Sequence, residues 1–199
     1  MLIAALACAA LVALHLVADR RGLGALRAIA KLGASACYVG LALALGPQGR
    51  FGLAITVALA LSFVGDALLL STRKGPFLAG VVVFLLAHAA FIFAFAPASR
   101  PTWIPAIVIL VVTIQVVRLF WPHAGELRLA VATYGAVIAV MLWLALGLDR
   151  SAVRAGALLF WCSDLTVARD RFVKNAFENR LVGLPLYYAA QLLLASAVG

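Results

Sequence analysis

Two aspartates lie deep inside apolar stretches, in Ser62-Phe63-Val64-Gly65-Asp66 and Trp161-Cys162-Ser163-Asp164. A charge at that depth of a bilayer costs about 2.5–3.5 kcal/mol on insertion scales, so each one calls for a partner or a task. Two carboxylates in different surroundings can divide acid and base work, one holding a proton while the other stays ionised. Lys31 sits in a third apolar stretch and offers a cation to one of them. The plainer alternative is a Lys31–Asp ion pair that only holds helices together. Ser62 precedes Asp66 by four residues and shares its helix face, as Ser35 does with Lys31. Ser163 adjoins Asp164, and His88, Tyr187, Tyr188 and Gln191 add polar groups to two further stretches.

The elements that carry these residues are membrane helices. The chain is 66% hydrophobic and 12% charged, with a mean hydropathy of +1.14. Its apolar runs are continuous and rich in Leu and Ala, which excludes the alternation of a membrane barrel. Crossing the hydrocarbon takes roughly 20 apolar residues as a helix. Eight spans are predicted, over 2–18, 28–46, 52–71, 77–96, 103–120, 127–147, 152–168 and 181–198. Pro, Gly and charged residues separate them, as in Gly46-Pro47-Gln48-Gly49-Arg50 and Pro97-Ala98-Ser99-Arg100-Pro101. No linker divides the chain, so residues 1–199 form one all-α, polytopic membrane domain, a bundle of eight transmembrane helices.

The net charge of +9 does not point to nucleic acid, because the basic residues are scattered over short loops. Of the 16 Lys and Arg, 11 fall in the loops after spans 1, 3, 5 and 7 and four in the opposite loops. An excess of Lys and Arg marks the cytoplasmic side, which places both termini outside a plasma (inner) membrane. The first span has no basic residue before it and Asp19-Arg20-Arg21 after it, the pattern of an uncleaved helix. Cys8, Cys37 and Cys162 fall within spans and form no CxxC pair, as small core residues do.

With that orientation, Asp66 and Asp164 lie about one turn above the inner ends of their spans, and Lys31 lies at the same depth on its own. His88 and Gln191 come nearer the midplane, with Tyr187 and Tyr188 just below Gln191. His15, Tyr38, Tyr134 and the four Trp are expected to serve as incidental, packing or interface residues. Arg73, Lys74 and Arg169 are candidates for contact with a lipid phosphate. No Walker loop, HExxH or GxSxG sequence is present. A zinc site would have to draw on His88 and both aspartates; no metal and no cofactor is expected. The two Asp segments are four spans apart, the spacing of a duplicated four-helix unit in parallel orientation.

The ordered set of segments resembles the YhhN-like lysoplasmalogenase family of integral membrane proteins. Leu61-Ser62-Phe63-Val64-Gly65-Asp66-Ala67-Leu68-Leu69 is similar to its Gly-Asp helix, and Phe77, Gly80, Phe84, His88 and Phe91 follow the spacing of the next. Tyr134 and Met141 match its sixth helix. Gly156 to Asp164, with Ala168 and Phe172, match its Ser-Asp helix, and Tyr187-Tyr188-Ala189-Ala190-Gln191-Leu192-Leu193 its last. Lys31 matches a family Lys usually followed by Pro, where this chain has Leu32. The resemblance implies a hydrolase that cleaves the vinyl ether bond of lysoplasmalogens, yielding a fatty aldehyde and glycerophosphoethanolamine or glycerophosphocholine. Its partners are then a lysophospholipid substrate and membrane lipids, with no protein partner inferred.

That chemistry needs an acid to protonate the vinyl β-carbon and an anion or base beside the oxocarbenium ion. Asp66 and Asp164 are the expected catalytic pair, with Lys31, His88, Tyr187, Tyr188, Gln191, Ser62 and Ser163 binding substrate or supporting them. The competing reading is a proton-coupled lipid or small-molecule transporter that uses the same aspartates as a proton relay. A non-catalytic membrane scaffold is a third.

Overall fold

The computed structural model describes residues 1–71 and 73–199. The described residues form eight α-helices: α1 (Leu2–Arg20), α2 (Gly24–Ala44), α3 (Gly49–Leu68), α4 (Lys74–Phe95), α5 (Trp103–Phe120), α6 (Arg128–Leu146), α7 (Ser151–Phe172) and α8 (Phe177–Ala195). Two short 3-10 turns, Trp121–His123 and Gly125–Leu127, join α5 to α6. The breaks follow local chemistry. Gly22, Gly46 and Gly49 take positive φ values of 69°, 69° and 59° in the turns flanking α2 and α3, a conformation that a Cβ disfavours.

Six helices, α1 to α6, are long and apolar enough to cross a membrane. The expectation of eight such spans is met in number of helices, but α7 and α8, of 22 and 19 residues, are long enough and not apolar enough to qualify. α7 carries Arg154, Asp164, Arg169, Asp170 and Arg171, and α8 carries Glu178, Asn179, Arg180 and Pro185. Outward faces of the other helices remain apolar. On α5, Ile104, Ile107, Val108, Val111 and Ile114 are all exposed, as a lipid-facing helix requires.

Successive helices run in opposite directions, which sorts the loops to two ends. At one end Arg27 reaches to 3.5 Å from the Leu70 carbonyl, Arg180 pairs with Asp19 at 2.8 Å, and Lys74 lies 3.8 Å from Glu126. These contacts tie together the loops after α1, α3, α5 and α7, the basic ones. At the other end the Arg100 amide donates to the Gly147 carbonyl, and Arg150 and the Gln48 amide donate to the carbonyls of Ala197 and Val198.

Small residues let paired helices close. A Cβ on Gly65 of α3 would come within 2.7 Å of the Phe84 ring on α4, and one on Gly80 of α4 within 2.9 Å of Leu69. A Cβ on Gly156 of α7 would come within 2.9 Å of Leu194 and 3.2 Å of the Ala190 carbonyl on α8, and one on Gly183 would collide with Thr166 Oγ1. The α3–α4 and α7–α8 pairs bear the two aspartates, so their spacing sets the site. Overpacking a close interface costs about 1–3 kcal/mol. Gly156→Leu is therefore expected to lower the thermal unfolding midpoint in detergent, whereas Val57→Leu on the exposed face of α3 leaves it unchanged.

Candidate active site

Lys31, Ser35 and Tyr38 recur at i, i+4 and i+7 along α2 and so point the same way. All three meet Asp66 of α3. Lys31 Nζ lies 3.2 Å from Asp66 Oδ1. Ser35 Oγ and Tyr38 OH donate to Asp66 Oδ2 at 2.8 and 3.1 Å. From α8, Tyr187 OH donates to the same oxygen at 2.8 Å. Asp66 is 2% exposed, and one ammonium and three hydroxyls surround its carboxylate. Hydrogen bonds and an ion pair of this kind offset the hydration that a buried carboxylate gives up.

Asp164 of α7 is held differently. Tyr134 of α6 donates to its Oδ2 at 3.0 Å, and His88 Nε2 of α4 faces the same oxygen at 3.6 Å. His88 Nδ1 lies 2.7 Å from the Phe84 carbonyl, one helical turn back. A carbonyl only accepts, so Nδ1 carries the hydrogen and the neutral ring presents a bare Nε2 towards Asp164. Nε2 stands 3.6 Å from the carboxylate and has no hydrogen-bond partner among the described residues, and no Lys or Arg lies within ion-pair distance of Asp164 among them.

Both aspartates line one cavity of about 600 Å3, within the roughly 300–1,000 Å3 usual for small-molecule sites. Tyr187, Tyr134 and Ser163 line it too, and its apolar wall includes Val81, Val117 and Val131. The cavity reaches the basic end of the bundle, where Arg27, Arg171 and Arg180 border it. Phe160 bridges the two carboxylate groups, its ring centroid 4.7 Å from that of His88 and 5.5 Å from that of Tyr187.

The other expected residues divide. Tyr188 OH lies 3.1 Å from both the Lys31 carbonyl and Ser35 Oγ, bracing the Asp66 group. Ser62 Oγ donates to the Ala58 carbonyl at 2.9 Å and Ser163 Oγ to the Phe160 carbonyl at 2.8 Å, so neither hydroxyl engages its neighbouring aspartate. Gln191 is wholly buried, and neither atom of its amide has a partner among the described residues. Lys31 pairs with Asp66, whereas Asp164 turns to α4 and α6.

Three expectations need correction. Tyr38 and Tyr134, expected to pack or to sit at the membrane interface, are hydrogen-bond donors to the two aspartates. Tyr38 follows Lys31 by seven residues on one helix face, and that spacing was the available signal. His15, expected to be incidental, lines the cavity with Nδ1 2.9 Å from the Arg27 carbonyl. Arg73, Lys74 and Arg169, the expected phosphate contacts, do not border the cavity; Arg27, Arg171 and Arg180 do.

A family model described as the YhhN family matches residues 26–198, which takes in every residue of both aspartate groups. The chain belongs to the YhhN family. It is 35% identical to the pig protein named lysoplasmalogenase TMEM86B over 151 residues, covering 75% of this chain and 65% of that one. It is 36% identical to the rat protein of that name over 158 residues, covering 79% and 66%. A Mycobacterium tuberculosis protein named lysoplasmalogenase is 32% identical over 164 residues, covering 76% and 62%. The chain thus spans slightly under two thirds of the length of these YhhN-type relatives. No solved structure matches it.

Removing one member of a buried ion pair costs about 3–5 kcal/mol, because the other is left unpaired. Lys31→Met is expected to lower the thermal midpoint strongly in detergent. Lys31→Met combined with Asp66→Asn recovers much of the loss, and a double variant no more stable than the single one would show that the pair contributes nothing of this kind.

Proposed function

We propose that this YhhN-family chain is a membrane hydrolase that cleaves the vinyl ether bond of lysoplasmalogens, with Asp66 and Asp164 as its working carboxylates. The observation that carries the reading is the contrast between them inside one cavity: Asp66 has four donors, whereas Asp164 has a single hydroxyl with an imidazole nitrogen 3.6 Å away. The names of the relatives supply the substrate class.

In this mechanism Asp164 carries the proton and delivers it to the β-carbon of the vinyl ether. The C=C π electrons form the new C–H bond and the ether oxygen stabilises the resulting oxocarbenium ion. Asp66 stays ionised and lowers the energy of that cation across the cavity, as the unprotonated carboxylate does in glycoside hydrolysis. Asp164, now an anion, accepts a proton from the attacking water and is thereby restored as the acid. The hemiacetal then collapses: its O–H proton is passed to the glycerol oxygen as the C–O bond breaks, giving a fatty aldehyde and the free glycerol hydroxyl. The apolar wall of the cavity holds the alkenyl chain.

The membrane placement belongs to the same proposal. All eight helices span an inner membrane, and the loops after α1, α3, α5 and α7 face the cytoplasm. At 1.5 Å per residue, α7 and α8 are roughly 33 and 29 Å long, enough to cross with the polar residues turned inward. A reporter active only outside the cytoplasm, fused after Gly199, is expected to be active; activity of a cytoplasm-only reporter at that site reverses the orientation.

Asp66→Asn and Asp164→Asn keep size but abolish the charge and the carboxyl proton. Asp164→Asn is expected to insert and fold, and Asp66→Asn to insert with a lowered thermal midpoint because Lys31 is left unpaired, while in each the aldehyde release per folded protein from 1-alkenyl-glycerophosphocholine falls about 10²–10⁴-fold. The double variant is expected to be little slower than the worse single one, since both groups serve one transition state. A well-folded Asn variant with near wild-type turnover would falsify the role given to that residue. Aldehyde-free transport of lipid or protons by reconstituted wild-type protein would replace the hydrolase reading with a carrier.

A further inference from the structure

Four cationic side chains border the cavity, and three are committed. Lys31 pairs with Asp66. Arg27 lies 3.5 Å from both Asp19 Oδ1 and the Leu70 carbonyl. Arg180 donates to Asp19 at 2.8 Å and to Asp170 and Asn175 at 3.3 Å. Asp170 in turn receives the Ala176 amide and the Asn175 and Asn179 side chains, so it serves the α7–α8 turn. Arg171 is the fourth. It makes no hydrogen bond or ion pair among the described residues, and its guanidinium lies 4.0 Å from the centroid of the Phe77 ring on α4.

Stacking on a ring occupies the face of a guanidinium and leaves its N–H donors free in the plane. Two parallel donors in that plane match two oxygens of a phosphate. Both Arg171 and Phe77 border the cavity. We propose that Arg171, held over the Phe77 ring, is the phosphate-binding residue of the cavity mouth for a single-chain phospholipid whose reacting bond lies at Asp164. The proposal rests on the hydrolase reading for its substrate and on the arginine's own geometry for the anion.

The spacing agrees with the ligand. Arg171 follows Asp164 by seven residues, which places the two on one face of α7 about 10 Å apart along its axis. From the vinyl β-carbon to phosphorus an alkenyl-glycerophospholipid has seven bonds, roughly 8 Å when extended at backbone-like advance per bond. Contact distances at each end bring the ligand to the reach of both side chains. Arg169, two residues earlier, is turned to another face of the same helix and does not border the cavity. The ligand class is therefore a phosphodiester-bearing lipid with one chain, its phosphate at the mouth and its chain on the valine-lined wall.

The test uses the full chain in detergent micelles. Turnover is measured with 1-alkenyl-glycerophosphocholine and with 1-alkenylglycerol, which lacks the phosphate. Binding is measured separately with ester-linked lysophosphatidylcholine and with a monoacylglycerol of equal chain length. Wild type is expected to prefer the phosphate-bearing lipid in both assays. Arg171→Gln should raise KM for the phosphate-bearing substrate about tenfold or more with little change in kcat, and leave 1-alkenylglycerol unaffected. Arg171→Lys, which keeps the charge without the flat fork, and Phe77→Leu, which removes the platform, should each lose part of the preference. An unchanged preference in Arg171→Gln overturns the proposal, as does an equal loss with both substrates. If wild type binds lysophosphatidylcholine in preference to monoacylglycerol and Arg171→Gln does not, yet no aldehyde is ever released, the phosphate site stands and the hydrolase reading fails.

Discussion

The buried carboxylate of Asp66 is the constraint around which the bundle is arranged. An ion taken from water into an apolar interior loses several kcal/mol of hydration, and only closely placed partners offset this. Those partners come from α2 and α8, through Lys31, Ser35, Tyr38 and Tyr187. The hydroxyls act only at hydrogen-bond distance, so α2, α3 and α8 cannot slide past one another without exposing the charge. Tyr188 extends the bracing to the backbone of α2. An apolar bundle in lipid has little hydrophobic drive to choose one helix arrangement, and close packing with polar contacts supplies it.

The second aspartate repeats this plan with fewer donors. Asp66 takes a tyrosine from the helix before it, Tyr38 of α2, and an aromatic partner from α8, Tyr187. Asp164 takes Tyr134 from the helix before it, α6, and an aromatic partner from α4, His88. Each half of the chain thus provides the last helix of the other half's carboxylate group. The difference lies in the ammonium: among the described residues no Lys or Arg pairs with Asp164 as Lys31 pairs with Asp66. Of the two equivalent positions, one has an ammonium partner and the other does not.

Much of the fold was legible because membrane helices announce themselves by length and composition. The run read as 28–46 is Gly24–Ala44, and that read as 152–168 is Ser151–Phe172. The polar ends of α7 and α8 were the hardest to bound, since their charges belong to the cavity mouth and look like loop. In the site, Lys31 and Asp66 were recognisable because each is costly where it sits. Tyr38 and Tyr134 were not, because a tyrosine in an apolar helix serves equally well as a packed ring or as a donor, and only a neighbour across the bundle decides. The phosphate candidates failed for a related reason. Counting basic residues reports a side of the membrane, whereas Arg169 and Arg171 differ in the face of α7 they occupy.

The polarity of the cavity runs in one direction, and that ordering follows from the cost of charge in a bilayer. Arginines that retain exposure lie at the basic end, where long side chains can reach hydrated headgroups. The aspartates lie deeper, where water is scarce and every ion needs a protein partner. Valines, leucines and phenylalanines line much of the remaining wall. A molecule with a charged head, a short polar link and one apolar chain meets matching surroundings along its whole length. A cation formed on the link would arise beside a carboxylate already desolvated and already oriented. Its stabilisation requires no rearrangement at that moment, which is the condition under which fixed charges contribute most to a reaction.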